Sequence, residues 1–155
     1  MINVIHVGRL EMFARIPGYR LVVPDHVREE ITVAEQREVL DAAVAGDALT
    51  IASLTNLDSI ALFTQLIEHV GRGEAACLAL ALEHGWILAS DERKRFRREA
   101  ESRLGKERLI GTPDLFILAI RAGLHSIEGA DADKAVLERR RFKMAFASFR
   151  DLLGK

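Results

Sequence analysis

The feature that most constrains the fold is an apolar run in the middle of the chain. Residues 75–82 contain no polar side chain, and they lie in a helix that we predict over residues 74–84. A helix that is apolar on all sides has to be buried. Gly85 is suited to the left-handed conformation that commonly ends a helix. The remaining elements must therefore be arranged so that they cover this helix.

Short apolar strands alternate with amphipathic helices around this segment. The patterns predict strands over residues 20–23, 49–54, 86–89 and 109–111. They predict further helices over residues 9–15, 25–31, 32–45, 58–70, 93–104, 114–122, 132–141 and 144–153, while residues 1–6 fit either a strand end or a first helical turn. This alternation predicts one α/β domain over residues 1–155 with a mainly parallel central sheet.

Composition restricts the class of protein. Apolar residues make up 49% and charged residues 29% of 155 positions, which is typical of a soluble globular domain. No apolar run reaches the roughly 18 residues of a membrane span, and the N-terminus does not have the pattern of a secretion signal. The single cysteine, Cys77, excludes an internal disulfide and fits a small buried residue. We therefore expect a cytoplasmic protein without membrane contact.

Charge is distributed unevenly, although the net charge is only −1. Acids outnumber bases over residues 24–74, and bases outnumber acids over residues 91–108 and 138–150. This asymmetry suits a metal site beside the path of a polyanion, with phosphate contacts from predicted helices over 93–104 and 138–150. The alternative interpretation is that both basic runs are solvated helix faces.

One acid of the predicted helix over residues 25–31 lies at the edge of its apolar face. Val27 and Ile31 are four positions apart and mark that face. Glu30 lies about 60° from Val27 around the helix, whereas Glu29 lies nearly opposite. Glu30 can therefore turn toward the rim of the core, and Glu29 should point to water. The alternative for Glu30 is a solvated carboxylate.

Strand order predicts that several polar residues meet at one edge of the sheet. Ligands of open parallel sheets bind beyond the carboxyl ends of the strands. Glu30, Asp91 and Thr112 each follow a predicted strand, and Glu74 opens a helix that starts at the same edge. Clustered carboxylates repel one another unless a cation joins them, and Mg²⁺ or Mn²⁺ prefers such oxygen ligands. Alternatively, Glu74 is a first-turn acid and Asp91 an N-cap.

Four motifs in this order resemble PIN-domain proteins, and most closely the VapC-type, toxin-like ribonucleases. They are residues 24–31 (PDHVREEI), 73–81 (GEAACLALA), 91–95 (DERKR) and 111–112 (GT). The resemblance implies a three-layer α/β/α fold and Mg²⁺- or Mn²⁺-dependent cleavage of single-stranded RNA. It also implies an antitoxin partner and a homodimer. By position, Glu30, Glu74 and Asp91 match metal-site acids of the family.

The resemblance also implies the residues that contact the substrate. Thr112 matches a polar position beside the acids, and Ser90 stands where relatives carry the first of two adjacent aspartates. Arg95, Arg97 and Arg98 belong to the basic run after Asp91 and are predicted to bind RNA phosphates. Asp114 is an extra acid after Gly-Thr, and it is either an added metal ligand or a helix cap.

The chain departs from the family pattern at its start. The family opens with a strand that ends in an aspartate, and the match here begins inside that pattern, so the first strand and its acid are missing. One hypothesis is that translation starts upstream of Met1 and that the full protein is an active nuclease. The second is that Met1 is the true start and that the chain is an impaired RNA- or protein-binding module. A third is a small α/β domain unrelated to nucleases.

Overall fold

The computed structural model describes residues 2–154, so the hypotheses about Met1 lie outside its range. The described residues form two compact units, one comprising Val22–Gly111 and the other comprising the segments on either side of it. The single domain predicted for residues 1–155 stays a prediction. The elements in chain order are α1 (Ile2–His6), α2 (Leu10–Ala14), β1 (Val22–Pro24), α3 (Asp25–Glu30), α4 (Ala34–Ala45), β2 (Thr50–Ala52), α5 (Leu57–Leu66), α6 (Arg72–His84), β3 (Leu88–Ala89), α7 (Arg95–Leu104), β4 (Leu109–Ile110), α8 (Thr112–Arg121), α9 (Ile127–Arg139) and α10 (Arg150–Leu153), with a 3₁₀ turn at Lys106–Arg108.

The four strands of the Val22–Gly111 unit form two parallel pairs. β1 pairs with β2, with Val22 opposite Thr50, and β3 pairs with β4, with Leu88 opposite Leu109. The predicted α/β architecture and parallel pairing are confirmed. Within residues 2–154 the two pairs are separate two-stranded ladders rather than one continuous sheet.

Helix α6 is the buried centre of this unit, as its apolar sequence predicts. Ala75, Ala76 and Leu78 have no exposed surface, and Leu78 packs in a cluster with residues of α5, β3 and α7. Gly85 ends the helix with φ of 70°, which confirms the predicted left-handed stop. Burial raises the pKa of the Cys77 thiol in this helix to about 12, so the cysteine stays protonated and packs as an apolar residue.

The other unit is built around aromatic side chains and a partly buried ion pair. The Phe116 ring lies 5.1 Å from that of Phe13 and 5.2 Å from that of Phe149, and all three residues are buried. Asp133, whose side chain is 9% exposed, accepts a 2.7 Å hydrogen bond from Arg9 Nε and lies 3.0 Å from His125 Nε2. These contacts fasten the N-terminal segment to α9.

The prediction of a helix over residues 144–153 is wrong for most of its length, because only Arg150–Leu153 is helical. Asp131 Oδ2 accepts a 2.6 Å hydrogen bond from the Ser148 hydroxyl, and its Oδ1 accepts one of 2.9 Å from Phe149 N. These bonds hold the segment in an irregular conformation. The predicted basic helix over residues 138–150 is therefore wrong as well, since α9 ends at Arg139. Phe149 itself is buried in the core of this unit.

Candidate active site

Glu30 reaches the start of α6 through a hydrogen bond. Its Oε1 accepts a bond of 2.8 Å from the backbone N–H of Gly73, 43 positions away in sequence. A Cβ atom at Gly73 would lie 3.0 Å from Glu30 Cδ and 3.0 Å from Val27 Cγ2, and closer still to a carboxylate oxygen. Glycine at this position therefore leaves the space that the carboxylate occupies. Glu30 is exposed yet turned to α6, as its place beside the apolar face predicts.

Glu74 is the next residue along α6, and it also caps the helix. Its Oε2 accepts a 2.9 Å hydrogen bond from Gly71 N–H, so the alternative of a first-turn acid is realised. Burial raises the pKa of Glu74, the Gly71 bond lowers it, and the negative charges of Glu92 and Glu30 raise it further, with a raised pKa as the net result. The charges of Glu30 and Glu92 therefore act on Glu74 at the first turn of α6.

Asp91 follows β3 in a loop that is held to β4. Ser90 N–H donates a 2.9 Å hydrogen bond to the carbonyl of Ile110, and the Ser90 hydroxyl accepts one of 3.2 Å from Glu92 N–H. Helix α7 begins at Arg95, later than predicted, and its N-cap residue is Lys94. The interpretation of Asp91 as an N-cap is therefore wrong.

The acids fit a divalent cation in donor type and charge. Carboxylate oxygens are the ligands that Mg²⁺ and Mn²⁺ prefer. Burial and, to a smaller extent, neighbouring negative charges raise the pKa of Glu74, and a bound cation would offset both. Between residues 2 and 154, however, no group of three or more His, Cys, Asp or Glu side chains is arranged to hold a metal ion. Glu30 and Glu74 instead use one oxygen each on backbone N–H groups of α6. The assignment of Glu30, Glu74 and Asp91 as ligands stays a prediction.

The basic run after Asp91 forms an open cavity of about 520 Å³. Lys94, Arg95, Arg98 and Glu99 line it, and Arg95 Nη2 lies 3.2 Å from His69 Nδ1. Arg97 instead forms a 2.8 Å ion pair with a glutamate of its own helix, Glu101. Arg95 and Arg98 are therefore better placed than Arg97 for an incoming phosphate.

Two further predicted residues lie in the other unit. Thr112 is buried at the start of α8, and Asp114 is an exposed acid in the first turn of that helix. Their participation in the acidic site stays a prediction. The sequence pattern did not single out Glu92, whose charge contributes to the raised pKa of Glu74. Its position next to Asp91, just after β3, could have identified it as a further acid of this site.

A family model described as a PIN domain matches residues 1–139. The chain belongs to the PIN-domain family. This membership indicates a nuclease or RNA-related function, because PIN domains generally bind RNA and use divalent metals. The parallel strands and surrounding helices agree with the α/β/α fold of the family. Comparison with curated proteins and with solved structures gave no significant match.

No helix in the described part of this PIN domain is long and apolar enough to cross a membrane.

Proposed function

We propose that this PIN domain is a metal-dependent endoribonuclease that hydrolyses phosphodiester bonds of single-stranded RNA. The observation that supports the proposal most is the hydrogen bond between Glu30 and the first turn of α6, where Glu74 lies. It brings together acids that are far apart in sequence. Burial, with a smaller contribution from the charges of Glu92 and Glu30, raises the pKa of Glu74, and a cation beside it would offset both effects.

Glu30, Glu74 and Asp91 would hold Mg²⁺ or Mn²⁺. When bound, such a cation lowers the pKa of a coordinated water molecule and neutralises charge on a phosphate. The chain itself supplies the fixed negative side chains and the helix that positions two of them. Because Gly73 and Gly71 hold Glu30 and Glu74 by backbone N–H groups, both carboxylates are restrained before any ligand arrives.

Arg95 and Arg98 would bind RNA phosphates in the cavity that they line with Lys94. Cationic side chains neutralise the backbone of a single strand irrespective of its sequence. Ser90, the residue before Asp91, would add a polar contact beside the acids. The geometry supports Arg97 less, because its guanidinium already faces a carboxylate.

A second candidate function is a PIN-like module that binds RNA or a protein without cutting it. One observation favours this candidate, namely that the described acids cap α6 and do not form a three-ligand metal site. For the nuclease, the resemblance to VapC-type proteins adds a toxin-like role, an antitoxin partner, a homodimer and a cytoplasmic location. These finer features stay predictions.

The deciding experiment is a titration of Mg²⁺ and Mn²⁺ into the chain, with cleavage of single-stranded RNA followed in parallel. We expect Mn²⁺-dependent cleavage that is lost in E30Q, E74Q and D91N. E29Q is the matched control, since Glu29 is an exposed neighbour of Glu30 on the same helix and should be dispensable. RNA binding without cleavage by the wild type would favour the binding module, and equal cleavage by E30Q and E29Q would contradict the assigned site.

A further inference from the structure

A second polar group lies at the carboxyl ends of β1 and β2. Asp25 directly follows β1, and Ser53 directly follows β2. The strands are parallel and Pro24 is opposite Ala52, so the residues that follow leave the ladder at the same edge. The Ser53 side chain hydrogen-bonds to the Asp25 carboxylate, which joins the two strand ends.

The Asp25 carboxylate holds the imidazole of His26 in one orientation. Asp25 Oδ1 lies 2.7 Å from His26 Nδ1 and accepts a second 2.7 Å bond from the His26 backbone N–H. The imidazole also packs on Phe63 of α5, with ring centroids 4.7 Å apart. Burial acts to raise the pKa of Asp25, but the hydrogen bonds from Ser53 and His26 outweigh it and the pKa is lowered. Asp25 is therefore a carboxylate at neutral pH.

This contact fixes which nitrogen of His26 is available. A carboxylate only accepts hydrogen bonds, so the neutral imidazole carries its proton on Nδ1 and presents the lone pair of Nε2. The side chain retains 20% exposure, so solvent reaches part of the ring. A neutral imidazole in this tautomer can accept a proton at Nε2.

The pair of Asp25 and His26 adjoins the acids of the candidate active site. His26 and Glu30 are four residues apart in α3, which places their Cβ atoms about 5–6 Å apart on one helix face. Glu30 in turn bonds to Gly73, the residue before Glu74. A general base that acts directly or through one water molecule needs this kind of proximity.

We propose that His26 accepts the proton of the water that attacks phosphorus, and that Asp25 positions it for this step. The inference rests on the proposed RNA hydrolysis. A carboxylate that holds a cation binds a proton less readily. A neutral imidazole nearby is then the better proton acceptor. One O–H bond of water breaks and its proton goes to Nε2, while the oxygen forms a bond to phosphorus. The bond from phosphorus to the leaving ribose oxygen breaks, that oxygen takes a proton from solvent, and the imidazolium returns its proton to solvent.

Chemical rescue tests the catalytic part of this proposal. We expect H26A to cleave RNA about 10²–10⁴-fold more slowly than the wild type at saturating Mn²⁺. Added imidazole should restore part of that rate in H26A but not in E74Q, whose defect is not a missing base. H26F keeps an aromatic ring against Phe63 and serves as the folding control, and it should be as slow as H26A. A loss that imidazole does not restore would assign His26 a structural role and overturn the proposal.

Nitrogen NMR of the metal-free chain tests the positioning part without any cleavage. We expect the Nδ1–H tautomer for His26 in the wild type and a shift toward the Nε2–H tautomer in D25N. His125 is an internal control in the same spectrum, because it faces Asp133 through Nε2 and should show the opposite tautomer. An Nε2–H tautomer for His26 in the wild type would contradict the proposed role of Asp25.

The outcomes separate this inference from the function on which it rests. If the wild type cleaves RNA and H26A cleaves at the same rate, the nuclease stands and only the base is wrong. If the wild type cleaves with no divalent ion at all, the proposed function fails, and the role of His26 fails with it.

Discussion

Replacing Gly73 by alanine should separate Glu30 from the start of α6. The carboxylate would have to move, because the new Cβ would lie 3.0 Å from Glu30 Cδ, and the 2.8 Å hydrogen bond to the backbone would be lost. A hydrogen bond to a charged group contributes about 1.5–3 kcal/mol, and an exposed carboxylate belongs at the lower end of that range. Alanine recovers about 0.5–1 kcal/mol of helix propensity, while crowding against Val27 adds a cost. We expect the free energy of unfolding to fall by about 1–2 kcal/mol.

Urea denaturation of a double-mutant cycle isolates the part that is due to Glu30. In an E30A background the carboxylate that the new Cβ would meet is gone, so the cost of G73A should fall by about 1 kcal/mol. An E29A background is the matched control and should leave the cost of G73A unchanged. If G73A costs the same in the wild-type and E30A backgrounds, Gly73 does not make room for Glu30 and the reasoning is refuted.

Three other predictions concern pH, RNA binding and stability. The raised pKa of Glu74 means that the native state holds its proton more tightly, so stability should fall as pH rises from the usual glutamate pKa through the raised one. Thermal melts of E74Q should lack this fall, and an equal fall in the variant would contradict the assignment. R98A should reduce the slope of log K against log salt for single-stranded RNA by about 0.7, and R97A by less, as measured by fluorescence anisotropy. Equal effects would mean that the cavity is not the phosphate site. R9A should lower the free energy of unfolding by about 1–3 kcal/mol, because it removes a partner of the buried Asp133, and an unchanged denaturation midpoint would count against that ion pair.

The parts of the fold that depend on local pattern could be predicted from the sequence. An apolar run at residues 75–82 followed by Gly85 has one good solution, a buried helix with a left-handed end, and the structure has it. Each of the four predicted strands overlaps an observed strand, because short apolar runs recur between amphipathic helices. The apolar spacing of residues 146–153 is also helical, but Asp131 holds Ser148 and Phe149 from 17 and 18 positions away. No local pattern shows such a contact.

The same limit applies to the candidate site. Glu30 could be identified because helical periodicity put it at the edge of an apolar face. Its hydrogen bond to Gly73 could not, because that residue is 43 positions away. His26 could not be singled out, because its role depends on a hydrogen bond to Asp25. Asp25 is in turn bonded to Ser53, which follows a different strand. Strand order predicts which elements lie close together. It does not predict which side chains form hydrogen bonds with one another.

Cys77 allows the local opening of the central helix, α6, to be measured. A thiol whose pKa is about 12 is almost never the reactive thiolate while α6 is closed. A thiol reagent should therefore modify the half-buried Cys77 slowly, and faster when the helix opens locally. The labelling rate then reports how often the helix opens rather than how reactive the cysteine is. Because Cys77 lies less than one turn from Glu74, any ion that draws the acids together should slow the labelling. A single natural residue thus allows ligand occupancy to be followed without a probe being introduced.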